Sequence, residues 1–308
     1  MDDRKLGYLL ILIAASLWGT LGVFYKYIQI FAALSPIEIV FWRAFIAAVF
    51  TLSILIIWRR NDFRIQRKHF PIFLAIGFIG IAGFYIVYVY AISMIGIGVA
   101  SVLLYSAPVW VALYGFSFQG ERITGQKVYS LILALVGILL ITGVFSNNQI
   151  QFGYLGLIAG IGSGIGYAAY ILLNKKISQL GYTTWTVNAY GLSLGSLILL
   201  TLQSPPSLNS SLSSPSTLIL LILLGLVPTL GGGLAFYAGL QRISAVNASI
   251  VATFEPVVAT TLGWLIFSES LSLFQFFGGI LILSAVILIQ LPTNRYRTII
   301  NSPPIDKE

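Results

Sequence analysis

Glu255 is the first residue of this sequence whose chemistry calls for an explanation, because it is the only charged residue between Arg242 and Glu269. The stretch around it is apolar enough to lie inside a membrane, where an ionisable side chain is costly and marks a functional site by default. A carboxyl group there would bind the ammonium group of a substrate, or a proton. The alternative is a structural carboxyl group that hydrogen-bonds to a neighbouring helix. We favour the functional interpretation.

Arg43 is a complementary charge inside a second apolar stretch. A guanidinium group forms two parallel hydrogen bonds with a carboxylate, so Arg43 is a candidate for holding a substrate carboxylate. In the alternative interpretation its long side chain extends to the membrane surface or ties helix ends together. From the sequence we favour this second interpretation, and we keep Arg43 as a candidate for the substrate site.

Aromatic residues make up 14% of the chain, and several fall in the middle of apolar segments. Most mid-segment aromatic side chains serve packing, but substrate pockets are mostly apolar and aromatic with a few polar groups. We therefore predict that some of them line a pocket together with Arg43 and Glu255. The candidates are Trp18, Tyr85, Tyr105, Tyr167 and Tyr237.

The composition identifies the elements that must position these residues. Of 308 residues, 58% are hydrophobic and only 8% are charged, whereas a soluble domain carries about 25% charged residues. Uncharged runs extend from Phe70 to Gly120, from Val128 to Asn174 and from Ile177 to Gln241. A helix crosses a bilayer with about 20 apolar residues. The sequence therefore predicts an all-α polytopic membrane protein, because helices satisfy their own backbone groups in lipid.

Ten transmembrane helices fit the apolar segments. Their approximate limits are 7–26, 37–58, 70–92, 98–119, 127–145, 152–174, 183–203, 217–240, 246–267 and 271–291. With the N-terminus in the cytoplasm, 15 of the 17 Lys and Arg residues fall on the cytoplasmic side. The positive-inside rule thus predicts that both termini are cytoplasmic, in the cytoplasmic (inner) membrane. The net charge of +8 is then a topology signal and not a nucleic-acid surface.

A sequence pattern recurs at an offset of 148 residues. Ala100-Ser101, Pro108-Val109 and Glu121 return as Ala248-Ser249, Pro256-Val257 and Glu269. Five helices per half would reverse the second half relative to the first, and inverted repeats are a recurring design of secondary transporters. We predict one five-helix repeat over 1–148, an inverted one over 149–292, and a cytoplasmic tail over 293–308. The Pro/Ser-rich segment 204–216 is predicted to be a flexible linker.

Other positions of the repeated pattern are predicted to serve movement or structure. Pro108 and Pro256 are candidate hinges within helices of the two repeats. Glu121, Arg122 and Glu269 lie at helix ends, where we expect structural hydrogen bonds to neighbouring helices and not substrate contacts. Glu255 has no counterpart, because the equivalent residue is Ala107.

The ordered set of motifs resembles the EamA-type family of the drug/metabolite transporter superfamily. The resemblance rests on Ala-Ser followed by Pro-Val in both halves, on Gly120-Glu121-Arg122, on Glu255-Pro256-Val257 and on Trp18-Gly19, and it covers about residues 7–291. It implies ten helices in two inverted repeats, a central cavity, and export of amino acids or other small metabolites. The sequence departs from the repeat at Ala107, and the family does not fix the substrate.

The leading hypothesis is therefore a secondary transporter that moves small metabolites, with amino-acid export favoured, by alternating access through a central cavity. Import or exchange of phosphorylated sugars or nucleotide sugars is an alternative, but such substrates require more basic residues than Arg43 and Lys26. A scaffold or receptor is a further alternative. We expect no enzyme, because the spans contain no Asp, His or Cys to assemble a catalytic site.

The expected partners follow from the same hypothesis. They are a small-molecule substrate, the lipid bilayer and, as a candidate coupling ion, the proton. The chain has no Cys and one His, so we predict no metal site, and we predict no cofactor and no nucleic-acid partner. A monomer or a weak homodimer is expected.

Overall fold

A computed structural model describes residues 2–32, 34–122, 124–144, 153–203 and 214–292. Every regular element in these ranges is helical, and none of the described residues lies in a strand. The all-helical prediction is therefore confirmed for the described part of the chain. The predicted repeat boundary at 148/149, the tail 293–308 and most of the linker 204–216 lie outside the described residues.

Fourteen α-helices are described. They are α1 (Asp3–Gly19), α2 (Leu21–Phe31), α3 (Pro36–Trp58), α4 (Phe70–Ala75), α5 (Phe84–Leu104), α6 (Ala107–Phe118), α7 (Gly125–Ile141), α8 (Tyr154–Ser178), α9 (Thr184–Leu200), α10 (Pro215–Leu224), α11 (Gly232–Leu240), α12 (Ala245–Ala252), α13 (Glu255–Phe267) and α14 (Leu273–Gln290). The first predicted span differs from the structure, since the chain kinks at Thr20 and stays helical to Phe31.

Seven helical stretches are long and apolar enough to cross a membrane. One of them, Arg67–Phe118, has 52 residues, which exceeds twice the length that a single crossing needs. It is broken at Gly96, whose φ of 76° and ψ of 159° no helix accommodates. One shorter apolar helix, α7, has 17 residues, and α9, which contains no charged residue, has 17 residues as well. This set accommodates ten crossings, and the number ten stays a prediction.

Interruptions of the helices recur at the 148-residue offset of the sequence pattern. A π-helical segment, Ile76–Gly83, joins α4 to α5, and a second, Gly225–Gly231, joins α10 to α11. The break at Gly96 has its counterpart at Ser244, the N-cap of α12. The N-cap residues Thr124 and Ser272, which accept hydrogen bonds from the first turns of α7 and α14, are also 148 residues apart. The division into two repeats thus agrees with where the helices stop, and we keep it as a proposal.

The main packing contacts join helices from different halves of the chain. Helix α1 packs along α11, α3 along α9, α5 along α8, and α7 along α14. Small residues allow these close approaches, because lipid offers no hydrophobic drive and association depends on packing. Buried side chains such as Ile11, Phe84, Ile171 and Phe236 form a continuous core where α1, α5, α8 and α11 meet. The interior of the bundle is therefore built jointly by both halves.

Candidate substrate site

Glu255 lies at the first residue of α13, directly after a break in the helical path at Thr253 and Phe254. The sequence predicted it within a continuous helix, so its local structure differs from that expectation. Pro256 explains the difference, because proline fits the first turn of a helix, where its missing N–H is not needed. The N-terminal end of a helix also favours a negative charge. The break thus places the carboxylate at a favourable helix end inside the bundle.

Tyrosines surround the Glu255 carboxylate. The hydroxyl of Tyr105 lies within hydrogen-bonding reach of it, and Tyr88 and Tyr167 are close enough to interact with its charge. Tyr105 lies at the break between α5 and α6, 148 residues before Thr253. Glu255 itself is partly buried.

Arg43 of α3 is buried, with only 4% of its surface exposed. Its guanidinium group donates a hydrogen bond to the Tyr85 hydroxyl and lies 4.3 Å from the centre of the Tyr85 ring. Tyr25 approaches the same guanidinium group from α2. A side chain that extended to the membrane surface would not be buried in this way. The local contacts therefore hold Arg43 in the interior.

Arg43 and Glu255 lie close enough for their charges to interact, but they do not form an ion pair. Four ion pairs with N–O distances up to 4.0 Å are found among the described residues, and neither Arg43 nor Glu255 belongs to any of them. Burying an unpaired charge costs several kcal/mol. Two opposite, unpaired charges in one interior fit a ligand that carries both a negative and a positive group.

A cluster of aromatic rings adjoins the charged residues. Trp18 contacts Phe236 with ring centres 5.0 Å apart, and Phe236 stacks on Tyr170 at 5.9 Å. Tyr170 in turn stacks on Tyr167 at 6.4 Å, and the edge of Tyr167 meets Trp18 at 6.5 Å. The Tyr167 hydroxyl is buried and has no hydrogen-bond partner among the described residues. A buried, unsatisfied hydroxyl is costly, so this group suits a polar ligand atom.

The structure brings together most of the residues that the sequence singled out. Six of the seven candidates lie close to the charged residues or the aromatic cluster. Trp18 contacts Tyr167, which lies near Tyr105 and Glu255. Arg43 contacts Tyr85.

Tyr237 is different from the other candidates. It is 1% exposed and packs in the core that contains Phe73, and its hydroxyl donates a 3.1 Å hydrogen bond to the Tyr182 carbonyl. Its contacts are thus those of a packing residue. Tyr25 was not selected. Its spacing of seven residues from Trp18 would place both side chains on one side only of an unbroken helix, whereas the helix breaks at Thr20 between them.

The two predicted hinge prolines lie at helix starts, and the two predicted helix-end glutamates form ion pairs. Pro108 and Pro256 lie in the first turns of α6 and α13. Glu121 forms an ion pair with Lys127, and Glu269 forms one with Lys26. Arg122 is exposed, and its carbonyl accepts a 3.4 Å hydrogen bond from Lys127.

A bundle of apolar helices with interrupted helices and charged residues at its centre defines a polytopic membrane transporter. The sequence profile of the EamA-like transporter family matches residues 5–143 and, a second time, residues 154–291. The chain therefore belongs to the EamA-like transporter family, and its class of activity is membrane transport of small molecules. The family assignment inferred from the motifs is confirmed.

Relatives with similar sequences have names of the same kind. An uncharacterized transporter of Archaeoglobus fulgidus is 32% identical over 65% of this chain and 70% of its own. The pseudopaline exporter CntI of Pseudomonas aeruginosa is 28% identical over 94% of this chain and 97% of its own. The uncharacterized inner membrane transporter YicL of Salmonella typhimurium is 27% identical over 96% and 98%.

A solved crystal structure with 17% sequence identity aligns with 97% of this chain and 100% of its own, with a TM-score of 0.78. At that level of identity the likeness concerns the fold alone.

Proposed function

We propose that this protein is a secondary transporter that exports small zwitterionic metabolites, with amino acids as the favoured class, across the cytoplasmic membrane. Transport proceeds by alternating access through a central cavity between the two repeats. The N- and C-termini lie in the cytoplasm, and the protein works as a monomer or a weak homodimer. The proton is the candidate coupling ion, because Glu255 is a carboxyl group that can carry one.

The observation that carries this proposal is the pair of unpaired charges, Arg43 and Glu255, in one interior. The substrate carboxylate would bind Arg43, whose planar guanidinium group is already oriented by Tyr85. The substrate ammonium group would bind Glu255, and the hydroxyls of Tyr105 and Tyr167 would complete its surroundings. A zwitterion thereby neutralises both buried charges at once, whereas a purely cationic or anionic solute would leave one of them unpaired.

Alternating access is supported by the interrupted helices. Both halves stop and restart a helix just before Pro108 and Pro256, and both contain a π-helical segment at the matching position. Transporters built from inverted repeats place such discontinuous helices around a site near the middle of the membrane. Export as the direction is supported by the name of one relative, an exporter that aligns over 94% of this chain.

Phosphorylated sugars and nucleotide sugars remain the alternative substrates. A phosphate group with two negative charges needs several cationic side chains for binding. Among the residues that the structure describes, Arg43 is the only buried cation. Lys26, the other candidate, is engaged with Glu269 at the far end of the bundle. A scaffold or receptor would not require two costly unpaired charges in its interior.

The proposal is tested by counterflow in proteoliposomes with a panel of labelled amino acids, at two pH values. The wild type is compared with Glu255→Gln, and Asp3→Asn, at an exposed carboxylate that pairs with Arg242, serves as the control for loss of one carboxylate. We expect accumulation of at least one zwitterionic substrate by the wild type and a large loss in Glu255→Gln. If no zwitterion accumulates while a phosphorylated sugar does, the substrate class is wrong. Equal transport by Glu255→Gln at both pH values would remove Glu255 from the mechanism.

A further inference from the structure

Two glutamates at opposite ends of the bundle have the same local structure. Glu121 follows α6 and Glu269 follows α13, 148 residues apart. Each comes directly after a left-handed residue, Gly120 with φ 61° and Ser268 with φ 53°. The backbone N–H of each glutamate then turns back to a glycine carbonyl six residues earlier, at 3.0 Å and 3.4 Å.

The carboxylates of both glutamates fold back onto those glycines. A methyl group at Gly115 would lie 3.0 Å from Oε2 of Glu121, and one at Gly263 would lie 2.6 Å from Oε2 of Glu269. An alanine at either position would therefore push the carboxylate away. The two helix ends thus place a carboxylate at the same point relative to their helices.

The lysines that face these two carboxylates also correspond. Lys26 on α2 and Lys175 on α8 are 149 residues apart, one residue from the repeat offset. Lys26 forms an ion pair with Glu269, which belongs to the other half of the chain. Lys175 lies within electrostatic reach of Glu121. Its ammonium group, however, donates hydrogen bonds to the carbonyls of Leu240 at 2.6 Å and Ile243 at 2.9 Å.

One of the two equivalent ion pairs between the halves is therefore formed and the other is not. Glu121 is instead paired with Lys127 of its own half. The residue that corresponds to Lys127 is Gln275, which is uncharged and caps α14 through its hydrogen bond with Ser272. Two lysines, Lys127 and Lys175, thus lie near Glu121. Glu269 has the single ion-pair partner Lys26 among the described residues.

We propose that Lys26 and Lys175 are alternating latches of the transport cycle. In the conformation described, Lys26 holds Glu269 and Lys175 rests on the carbonyls of the turn between α11 and α12. In the opposite-facing conformation, Lys175 leaves those carbonyls and binds Glu121, and Lys26 releases Glu269. Inverted repeats that exchange their conformations require this reciprocity, because each half then takes the arrangement that the other half had. The inference rests on the proposed alternating access.

The chain contains no cysteine, so paired spin labels can report both ends of the bundle without other substitutions. One pair of labels, at Ile30 and Leu271, reports the end with Glu269. The other pair, at Gln179 and Gln119, reports the end with Glu121. All four positions are exposed and leave the latch residues intact. Distance distributions are measured by pulsed electron paramagnetic resonance in lipid without substrate.

Lys26→Met is expected to lengthen the first distance and shorten the second, with a severalfold rise in the population of the second state. Gln275→Lys should shift both distances in the same directions, because it gives Glu269 the local partner that Glu121 already has. Lys175→Met should keep the population in the described conformation. Lys176→Met, at the exposed neighbouring lysine, is the control and should change neither distance.

A change at the end with Glu269 alone, or at neither end, would show that Lys26 and Glu269 form only a local surface bridge, and it would overturn the proposal. The measurement needs no substrate. Failure of every transport assay would therefore count against the proposed function without deciding the latches, and uncoupled distances would count against the latches without deciding the function.

Discussion

Arg43 and Glu255 lie within electrostatic reach of each other inside the bundle, yet neither forms an ion pair with any residue that the structure describes. Arg43 is instead oriented by the hydroxyl and the ring of Tyr85, and the hydroxyl of Tyr105 lies near the Glu255 carboxylate. Two buried charges without ion-pair partners lower the free energy of unfolding of the unliganded protein. A ligand that pairs with both charges raises it again.

Replacement of Arg43 by methionine should raise thermal stability while it abolishes binding. Removal of a buried charge avoids its desolvation penalty, which amounts to several kcal/mol per ion. The measurement is the midpoint of thermal unfolding in detergent, with and without saturating substrate. The wild type should gain stability from the substrate and the variant should gain none. A variant less stable than the wild type would indicate that Arg43 is a structural residue.

Arg43→Lys should weaken substrate binding, although it keeps the positive charge. Lysine offers a point charge and lacks the planar fork that binds a carboxylate with two parallel hydrogen bonds. The loss of one charged hydrogen bond is worth about 1.5–3 kcal/mol, so we expect a rise in Kd of at least about tenfold. Binding is measured by isothermal titration in detergent. An unchanged Kd would mean that the substrate carboxylate binds elsewhere.

Tyr85→Phe should destabilise the protein by about 1–3 kcal/mol, because it leaves a hydrogen-bond donor of the buried Arg43 without its partner. The same substitution in the Arg43→Met background should have little effect. This double-mutant cycle isolates the interaction between the two side chains. Equal destabilisation in both backgrounds would mean that the Tyr85 hydroxyl acts through another group.

Tyr8→Phe should destabilise the end of the bundle that carries Glu121. The Tyr8 hydroxyl donates to the Ile289 carbonyl at 3.1 Å and accepts from the amide of the buried Asn247 at 2.7 Å. Loss of the hydroxyl leaves that amide unsatisfied, at about 1–3 kcal/mol. Tyr154 provides a control, since it is a tyrosine at the start of α8 but is 77% exposed, whereas Tyr8 is 3% exposed.

Tyr154→Phe should change stability by less than about 0.5 kcal/mol, as surface substitutions usually do. The measurement is the midpoint of thermal unfolding of each variant, compared with that of the wild type. Similar losses in Tyr8→Phe and Tyr154→Phe would mean that the hydrogen bonds of Tyr8 do not hold the two halves together at this end.

The sequence was sufficient to select Glu255 and Arg43, since a charge in an apolar stretch stands out without any knowledge of contacts. It could not separate Tyr237 from Tyr105, because both are mid-segment tyrosines and only their surroundings differ. Tyr25 was missed for the same reason. Its hydroxyl matters because the kink at Thr20 brings α2 towards Arg43, and a kink of that kind has no marker such as proline in the sequence.

The sequence by itself determined that the chain is helical, that it lies in a membrane and that its two halves are related. These properties follow from local causes, namely the length of apolar runs, the positions of charges and a shared offset. Only the tertiary structure decided that Glu255 begins a helix, that Arg43 is held inside by Tyr85, and that Lys26 is bound to Glu269 while Lys175 is not bound to Glu121. Those relationships join residues that are distant along the chain, so they depend on how helices pack, which the order of residues does not state.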